Sequence, residues 1–250
     1  MIFGHDHIFL IDENNKIYSP GKYSNSSFDR YIQHFNHVKI ISRFKVTPSS
    51  GIPNGYTCID RNDISFLPFE NQSTFSNRFI KRRYFKSLIH DIVENDPYVV
   101  VRLPSEIGFL ISEVCVSLGK PYVCEVVACP VDAMVGLNSF KSKLYKHIIK
   151  RSMSHCVANA AGAIYVTDTF LQDRYPNYKL SVSASNVEID CTADSPREFK
   201  TKDRFIITHV GYLDSPHKGY DTIYKALSIL DKNIDKKILV NLVGGGQIFI

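Results

Sequence analysis

Phe205-Ile-Ile-Thr-His-Val-Gly-Tyr-Leu-Asp-Ser-Pro-His-Lys-Gly-Tyr-Asp221, a helix-like segment, and then Ile238-Leu-Val-Asn-Leu-Val-Gly-Gly-Gly246 decide how the rest of the chain is understood. An apolar run ends in a glycine-bearing turn, a loop carries Lys218 beside Gly219, and a second apolar run ends in three glycines. Strand, loop, helix, strand is the unit that holds nucleotides in parallel-sheet proteins, because loop N–H groups and a helix start meet phosphate together. Lys218 stands where its ammonium can reach a diphosphate, and Gly211 leaves room for a ligand at the strand end. A solvated strand-to-helix loop has the same spacing, and three glycines also make a plain turn, so spacing alone leaves both open.

Working back from this stretch, the same alternation repeats. Ala163-Ile-Tyr-Val-Thr167, Tyr122-Val-Cys-Glu-Val-Val127 and Tyr98-Val-Val-Val-Arg102 are the short apolar runs that fill central parallel strands. Helices are expected over residues 105–118, with Ser105 as N-cap and Gly119 as stop, over 138–161, and over 168–175, capped by Asp168. The apolar line of the 138–161 helix is read as Phe140, Leu144 and Ile148. Residues 76–93 read as a strongly basic helix whose stripe is Phe79, Ile80, Leu88, Ile89 and Ile92. The first 43 residues suggest a short strand, a hairpin near residues 12–15, a glycine turn, a helix over 26–35 and a strand over 38–43. Alternation of this kind predicts an α/β fold, a parallel sheet with helices on both faces.

Residues 181–204 lose this periodicity and collect Ser, Asn, Asp, Thr and Pro. The expected division is therefore a domain over 1–185, a linker over 186–203 and an incomplete second domain over 204–250, with a helix capped by Asp221 between its two strands. The chain has 250 residues, 44% of them hydrophobic, and a formal charge of +5, which suits phosphate-bearing molecules, anionic lipid surfaces or nucleic acid without choosing among them. Six cysteines without a Cys-x-x-Cys pair are expected to be reduced and structural, which places the protein in the cytoplasm. The opening Met1-Ile-Phe-Gly-His-Asp-His7 breaks its apolar run after three residues, and no run approaches the ~20 residues of a membrane span.

The run His209-Val-Gly-Tyr-Leu-Asp-Ser-Pro-His-Lys-Gly219 resembles the start of the sugar-nucleotide domain in family-4 glycosyltransferases of the GT-B fold, whose members show Val-Gly-Arg-Leu-x-x-x-Lys-Gly. Phe28-Asp-Arg-Tyr-Ile-Gln-His-Phe35, Val99-Val-Val-Arg-Leu-Pro-Ser105 and Tyr165-Val-Thr-Asp-Thr-Phe-Leu-Gln-Asp-Arg-Tyr-Pro176 are similar to a bacterial surface-polysaccharide branch of that family. The resemblance implies a GT-B type fold, one complete Rossmann-like acceptor domain followed by the first strand, helix and strand of a donor domain. It further implies a retaining, nucleotide-sugar-dependent glycosyltransferase acting on a glycan or lipid-linked acceptor, with no cofactor or metal. Gly211, Lys218 and Gly219 are its implied donor-diphosphate contacts.

Departures from the family pattern are specific. Tyr212 replaces the arginine, Ala128-Cys129-Pro130 stands where many members carry a histidine, and the pair of glutamates found further along the donor domain has no counterpart in these residues. A shortened or split enzyme with impaired activity, paired with a separately encoded donor half, is the expectation, and no catalytic residue is assigned. The alternative is a non-catalytic acceptor-binding or assembly module.

His5, Gly21, Lys22 and Arg102 are the acceptor-cleft candidates, each at the carboxyl end of an expected strand or in the loop after it. His5 and His7 could equally be loop residues without a ligand, and Arg102 a structurally satisfied arginine. Glu125, inside an apolar strand, is expected to be a buried carboxylate with partners. The basic helices suit either plain solvation or peripheral contact with an anionic membrane at its inner face, and nucleic acid is not expected.

Overall fold

A computed structural model describes residues 1–72, 74, 76–134, 139–187, 204–212, 218–230 and 237–245, with Lys22 and Arg204 described by their backbone alone. The chain separates into two compact units: one of Met1–Val131 with Leu144–Val187, the other of Asp132–Lys143 with Glu188–Ile250.

In the first unit β1 (Ile2–Ile11) and β2 (Ile17–Pro20) form a hairpin around Asp12, whose carboxylate accepts from the N–H groups of Asn14 and Lys16. Two short 3₁₀ turns and α1 (Asp29–Ile32) lead to β3 (Val38–Val46), β4 (Tyr56–Ile59) and β5 (Ile64–Phe69). A π-type turn at Ser76–Ile80 precedes α2 (Arg82–Glu94), which is followed by β6 (Val99–Leu103), α3 (Glu106–Ser117) and β7 (Val123–Val126). Then come α4 (Phe140–Asn159), β8 (Gly162–Tyr165), α5 (Phe170–Arg174) and β9 (Ser181–Ser183). The parallel strands run in the order β5, β3, β1, β6, β7, β8, β9, and β2 with β4 adds an antiparallel pair at the far end of β1. The α/β expectation with a parallel-dominated sheet therefore holds.

β1 is the centre of this sheet and is longer than its sequence suggests. One face carries Phe3 and Phe9, packed with Tyr23, Phe28, Tyr31, Ile40 and Ile64 in a buried cluster. On the other face Gly4 lies so close to Ile111 of α3 that an added Cβ would collide with the side chain. Chain order runs outward through β3 and β5 on one side of β1 and through β6 to β9 on the other. The sheet therefore has its topological switch between β1 and β6, where ligands gather in open parallel sheets.

Helix boundaries follow local chemistry, and several expectations need correction. Ser105 caps α3 as expected, accepting from Gly108 N at 2.9 Å, and Gly119 stops it with φ +63°. The helix expected over 26–35 shrinks to a 3₁₀ turn and one turn of α1, the 3₁₀ turn being closed by Ser27 N–H to Ser24 O and Ser24 N–H to Ser27 Oγ, both at 3.1 Å. Asp168 is not the cap: Thr167 Oγ1 takes the Leu171 N–H at 3.0 Å instead, and α5 starts one residue later than the aspartate's position requires.

The expected stripe of α2 holds only at Ile89, and that of α4 lies on a different face from the one the spacing indicates. In α2 the buried residues are Phe85, Ile89 and Val93, while Phe79, Ile80 and Leu88 are exposed. The π-type turn interrupts the helical phase, so residues before Lys81 do not continue the stripe. In α4 the core residues are Ile149, Met153, Cys156 and Val157, whereas Phe140 is 82% exposed. A shift of one residue turns a helix by about 100°, enough to move Ile148 off the face that Ile149 occupies.

The second unit contains β10 (Arg204–Val210), α6 (Tyr220–Leu230) and β11 (Lys237–Val243), with β10 and β11 parallel and in register from Arg204–Lys237 to Val210–Val243. Asp221 lies in the first turn of α6 rather than at its cap, because Thr222 N and Ile223 N both reach the Gly219 carbonyl at 3.1 Å. The linker expected over 186–203 falls almost wholly outside the described residues, as do Cys191 and Gly246. The other five cysteines carry free thiols, and burial pushes the Cys115 thiol up to about 12. No helix among the described residues is long and apolar enough to cross a membrane.

Candidate functional site

At the switch, β1 departs from regular pairing. Gly4 is opposite Ile41 of β3 and Ile8 is opposite Arg43, so β1 carries two more residues than its neighbour over this interval. On its other edge β1 pairs with β6 through Ile2–Gly4 and with β2 at Leu10–Ile11, leaving His5, Asp6 and His7 between the two ladders. Their carbonyls still need donors. Ser42 Oγ lies 2.8 Å from His5 O and 2.6 Å from His7 O, and the Arg43 guanidinium donates twice to Asp6 O, at 2.8 and 2.6 Å.

The side chains freed by this bulge take separate tasks. Asp6 reaches α3, its two carboxylate oxygens accepting from Glu106 N at 2.6 Å and Ile107 N at 3.2 Å. A carboxylate thereby occupies the positive end of that helix. His7 Nε2 is 2.9 Å from Ser19 Oγ, and its ring packs on Tyr23 at 4.6 Å between centroids. His5 packs on the same tyrosine at 5.8 Å, and its Nδ1 is covered and lacks a hydrogen-bond partner. Burial, the Arg102 charge and His7 lower the His5 pKa to about 3, outweighing the Arg102 backbone, which favours the charged ring. The imidazole is therefore neutral at physiological pH. His5 and His7 do not converge as a metal pair; the one cluster of metal-capable groups among the described residues, His90, Asp91 and Glu94, sits elsewhere on α2.

Arg102 and Glu125 are directly opposite each other on β6 and β7. Arg102 Nη1 donates to Glu125 Oε2 at 2.6 Å, and Tyr31 of α1 donates its hydroxyl to Glu125 Oε1. Arg30 approaches the same Oε2 at 3.9 Å, with its Cζ 4.8 Å from the Tyr31 ring centroid. Burial opposes the Arg102 charge, but Tyr23 and Glu125 more than offset it and hold its pKa above the ordinary value. Burial and the Glu125 charge push the Tyr31 hydroxyl up, so it remains a donor.

Among the acceptor-cleft candidates, the structure brings His5 and Arg102 to one place. Gly21 is exposed in the 3₁₀ turn after β2, with open space around it, and Lys22 follows it in that turn. Arg102 is an ion-paired arginine at the strand end. Glu125 has the partners expected of it. Sequence reasoning assigns no role to Tyr31, Arg30 or Asp6, although Arg30 and Tyr31 lie inside the Phe28-Asp-Arg-Tyr-Ile run quoted above. Their convergence depends on strand register, which no short motif encodes. Two surface grooves, of about 530 Å³ between α3 and α4 and about 540 Å³ between α2 and α3, contain none of the candidates.

In the second unit the ends of β10 and β11 meet at glycines. Gly211 N donates to Val243 O at 3.0 Å, and a Cβ on Gly244 would run into the Gly211 carbonyl. Tyr220, the first residue of α6, donates its hydroxyl to that carbonyl at 2.8 Å and packs its ring edge-on against His209. Lys218 is exposed, and its aliphatic stem lies 3.4 Å from the place a Gly211 side chain would take. Gly219 has φ +80°, a backbone geometry that favours glycine and turns the chain into α6. Gly211, Lys218 and Gly219 thus share one strand-to-helix corner, and among the described residues no acid pairs with the Lys218 ammonium.

No protein-family model matches the chain. It is 27% identical over 248 residues to Protein CapJ of Staphylococcus aureus, covering 98% of this chain and 61% of that relative, so it spans less than two thirds of the relative's length. Among solved structures, it aligns with Arabidopsis thaliana UGT89C1 complexed with UDP-L-rhamnose at a TM-score of 0.43 and 9% identity, covering 99% of this chain and 69% of that one. It also aligns with a UGT transferase from Siraitia grosvenorii in complex with UDP at a TM-score of 0.44 and 9% identity, covering 98% and 74%.

Proposed function

We propose that these residues form the acceptor side and the opening of the donor side of a retaining GT-B glycosyltransferase of the family-4 type, one that transfers a sugar from a nucleotide diphosphate sugar to a surface polysaccharide or lipid-linked glycan. The observation that carries this is the corner at Gly211, Lys218 and Gly219. Two parallel strands end side by side on glycines, a lysine with no acidic partner among the described residues stands over one of them, and a helix begins immediately after. Such a corner suits a diphosphate, which needs close backbone approach and a cation.

Within this proposal the acceptor domain, taken as residues 1–185, receives the acceptor at His5, Gly21, Lys22 and Arg102. The protein works in the cytoplasm, where exposed Ile80, Lys81, Arg83 and Tyr84 suit peripheral contact with an anionic membrane. The donor side has two described strands, with Phe205, Ile206, Ile207 and Leu239 exposed. Apolar parallel strands are normally covered on both faces, which favours completion by further polypeptide or by a separately encoded donor half. The same exposed faces favour, as a second possibility, an assembly module without catalysis.

Titration with UDP, followed by calorimetry, tests the donor corner: binding should weaken at least tenfold in Lys218→Met. Binding that ignores this substitution would remove the donor assignment. Incubation with labelled nucleotide sugars and lipid extract should give little or no transfer from these residues alone; robust transfer would overturn that expectation and exclude the module without catalysis.

A further inference from the structure

The cluster at the carboxyl ends of β6 and β7 has two guanidinium groups and one carboxylate. Glu125 is committed to Arg102 at 2.6 Å and to the Tyr31 hydroxyl, while Arg30 stands 3.9 Å away, beyond hydrogen-bond distance. No other acid pairs with Arg30 among the described residues. The neighbouring His5 ring is neutral and contributes nothing to the balance. The cluster therefore carries an excess of one positive charge.

The excess charge lies on the accessible member. The Arg30 side chain is 50% exposed, against 14% for Arg102 and 10% for Glu125. Arg30 has contacts on two sides, its guanidinium resting over the Tyr31 ring on one and drawn toward Glu125 on the other. A planar fork held in this way loses little freedom when it meets a planar or tetrahedral oxyanion.

We propose that Arg30 is the recognition cation for an oxyanion on the molecule that enters the first unit, so that the acceptor is an acidic or phosphorylated glycan rather than a neutral one. This rests on the acceptor role proposed above, and it adds the chemical class that the acceptor must have. Glu125 then acts as a positioning residue: it holds Arg102 and draws Arg30 to the strand ends without neutralising both.

Calorimetric titration of the full chain with glucuronate, glucose 1-phosphate and glucose, at low and moderate salt, tests this. At least one acidic probe should bind about ten times more tightly than glucose, and added salt should weaken it. The stronger of the two acidic probes distinguishes a carboxylate from a phosphate. Arg30→Gln, a change at an exposed position, should remove the preference while leaving the thermal midpoint unchanged. Glu125→Gln should tighten acidic-probe binding about threefold or more, a gain that a purely structural glutamate would not produce; if this variant does not fold, Arg30→Gln decides alone. Equal binding of all three probes, or an acid preference that survives Arg30→Gln, overturns the proposal. UDP binding through Lys218 is measured separately, so loss of the acid preference with UDP binding intact would sink this inference and leave the donor assignment standing.

Discussion

His5 shows how one buried ring couples the site to stability. Its pKa of about 3 lies below the ordinary 6.5, so the unfolded chain takes up a proton in mild acid that the folded chain refuses. Stability is unaffected above pH 6.5 and falls as the pH drops from there toward 3, by about 2 kcal/mol at pH 5. Urea unfolding at several pH values should show this slope, and His5→Gln should flatten it; an unchanged slope would mean that another group is responsible. Gly244 is the second residue on which local geometry depends. Gly244→Ala should cost about 1–3 kcal/mol because its methyl group meets the Gly211 carbonyl, and faster exchange of the Gly211 amide proton would report the displaced strand end. The glycine is visible in the sequence, but the carbonyl it faces belongs to the strand before α6. Likewise Arg102 and Glu125 can each be placed near a strand end from the sequence, whereas their pairing needs the β6 and β7 register.

At the level of elements, the bulge in β1 and the start of α3 act together. Asp6 is turned out of the sheet by the two additional residues and fixes the first two N–H groups of α3. Asp6→Ala should therefore destabilise the first unit by about 2 kcal/mol, with the greatest loss of amide protection in the first turn of α3. Uniform loss across the sheet would point instead to the bulge itself. The strands and helices are readable because apolar runs, Ser105 and Gly119 are local signals. The faces of α2 and α4 are not, since a π-type turn and a one-residue phase error are invisible to a count of apolar spacings. Nothing in Gly4-His-Asp-His-Ile8 announces a bulge; it becomes evident only against the donors supplied by Ser42 and Arg43.

For the whole molecule, the two units differ in how far their sheets are covered. β1 is buried between aromatic residues and α3, while Phe205, Ile206, Ile207 and Leu239 of the two-stranded sheet remain exposed. Exposed apolar strands with unpaired edges favour association. Light scattering should reveal concentration-dependent assembly, and Ile207→Lys with Leu239→Lys should suppress it. A monomer at all concentrations would show that other parts of the chain cover these faces. The position of β1 also has a consequence during synthesis. This strand precedes every other strand of its sheet, yet it is flanked on both sides in the finished fold, and its β6 partner, Val99–Val101, is translated nearly a hundred residues later. At about 5–20 residues per second, the nascent chain must keep an apolar strand without its second neighbour for roughly 5–20 seconds. The ribosome-bound protein is thus most open to chaperones, and to mispairing, at the strand that its finished sheet encloses most fully.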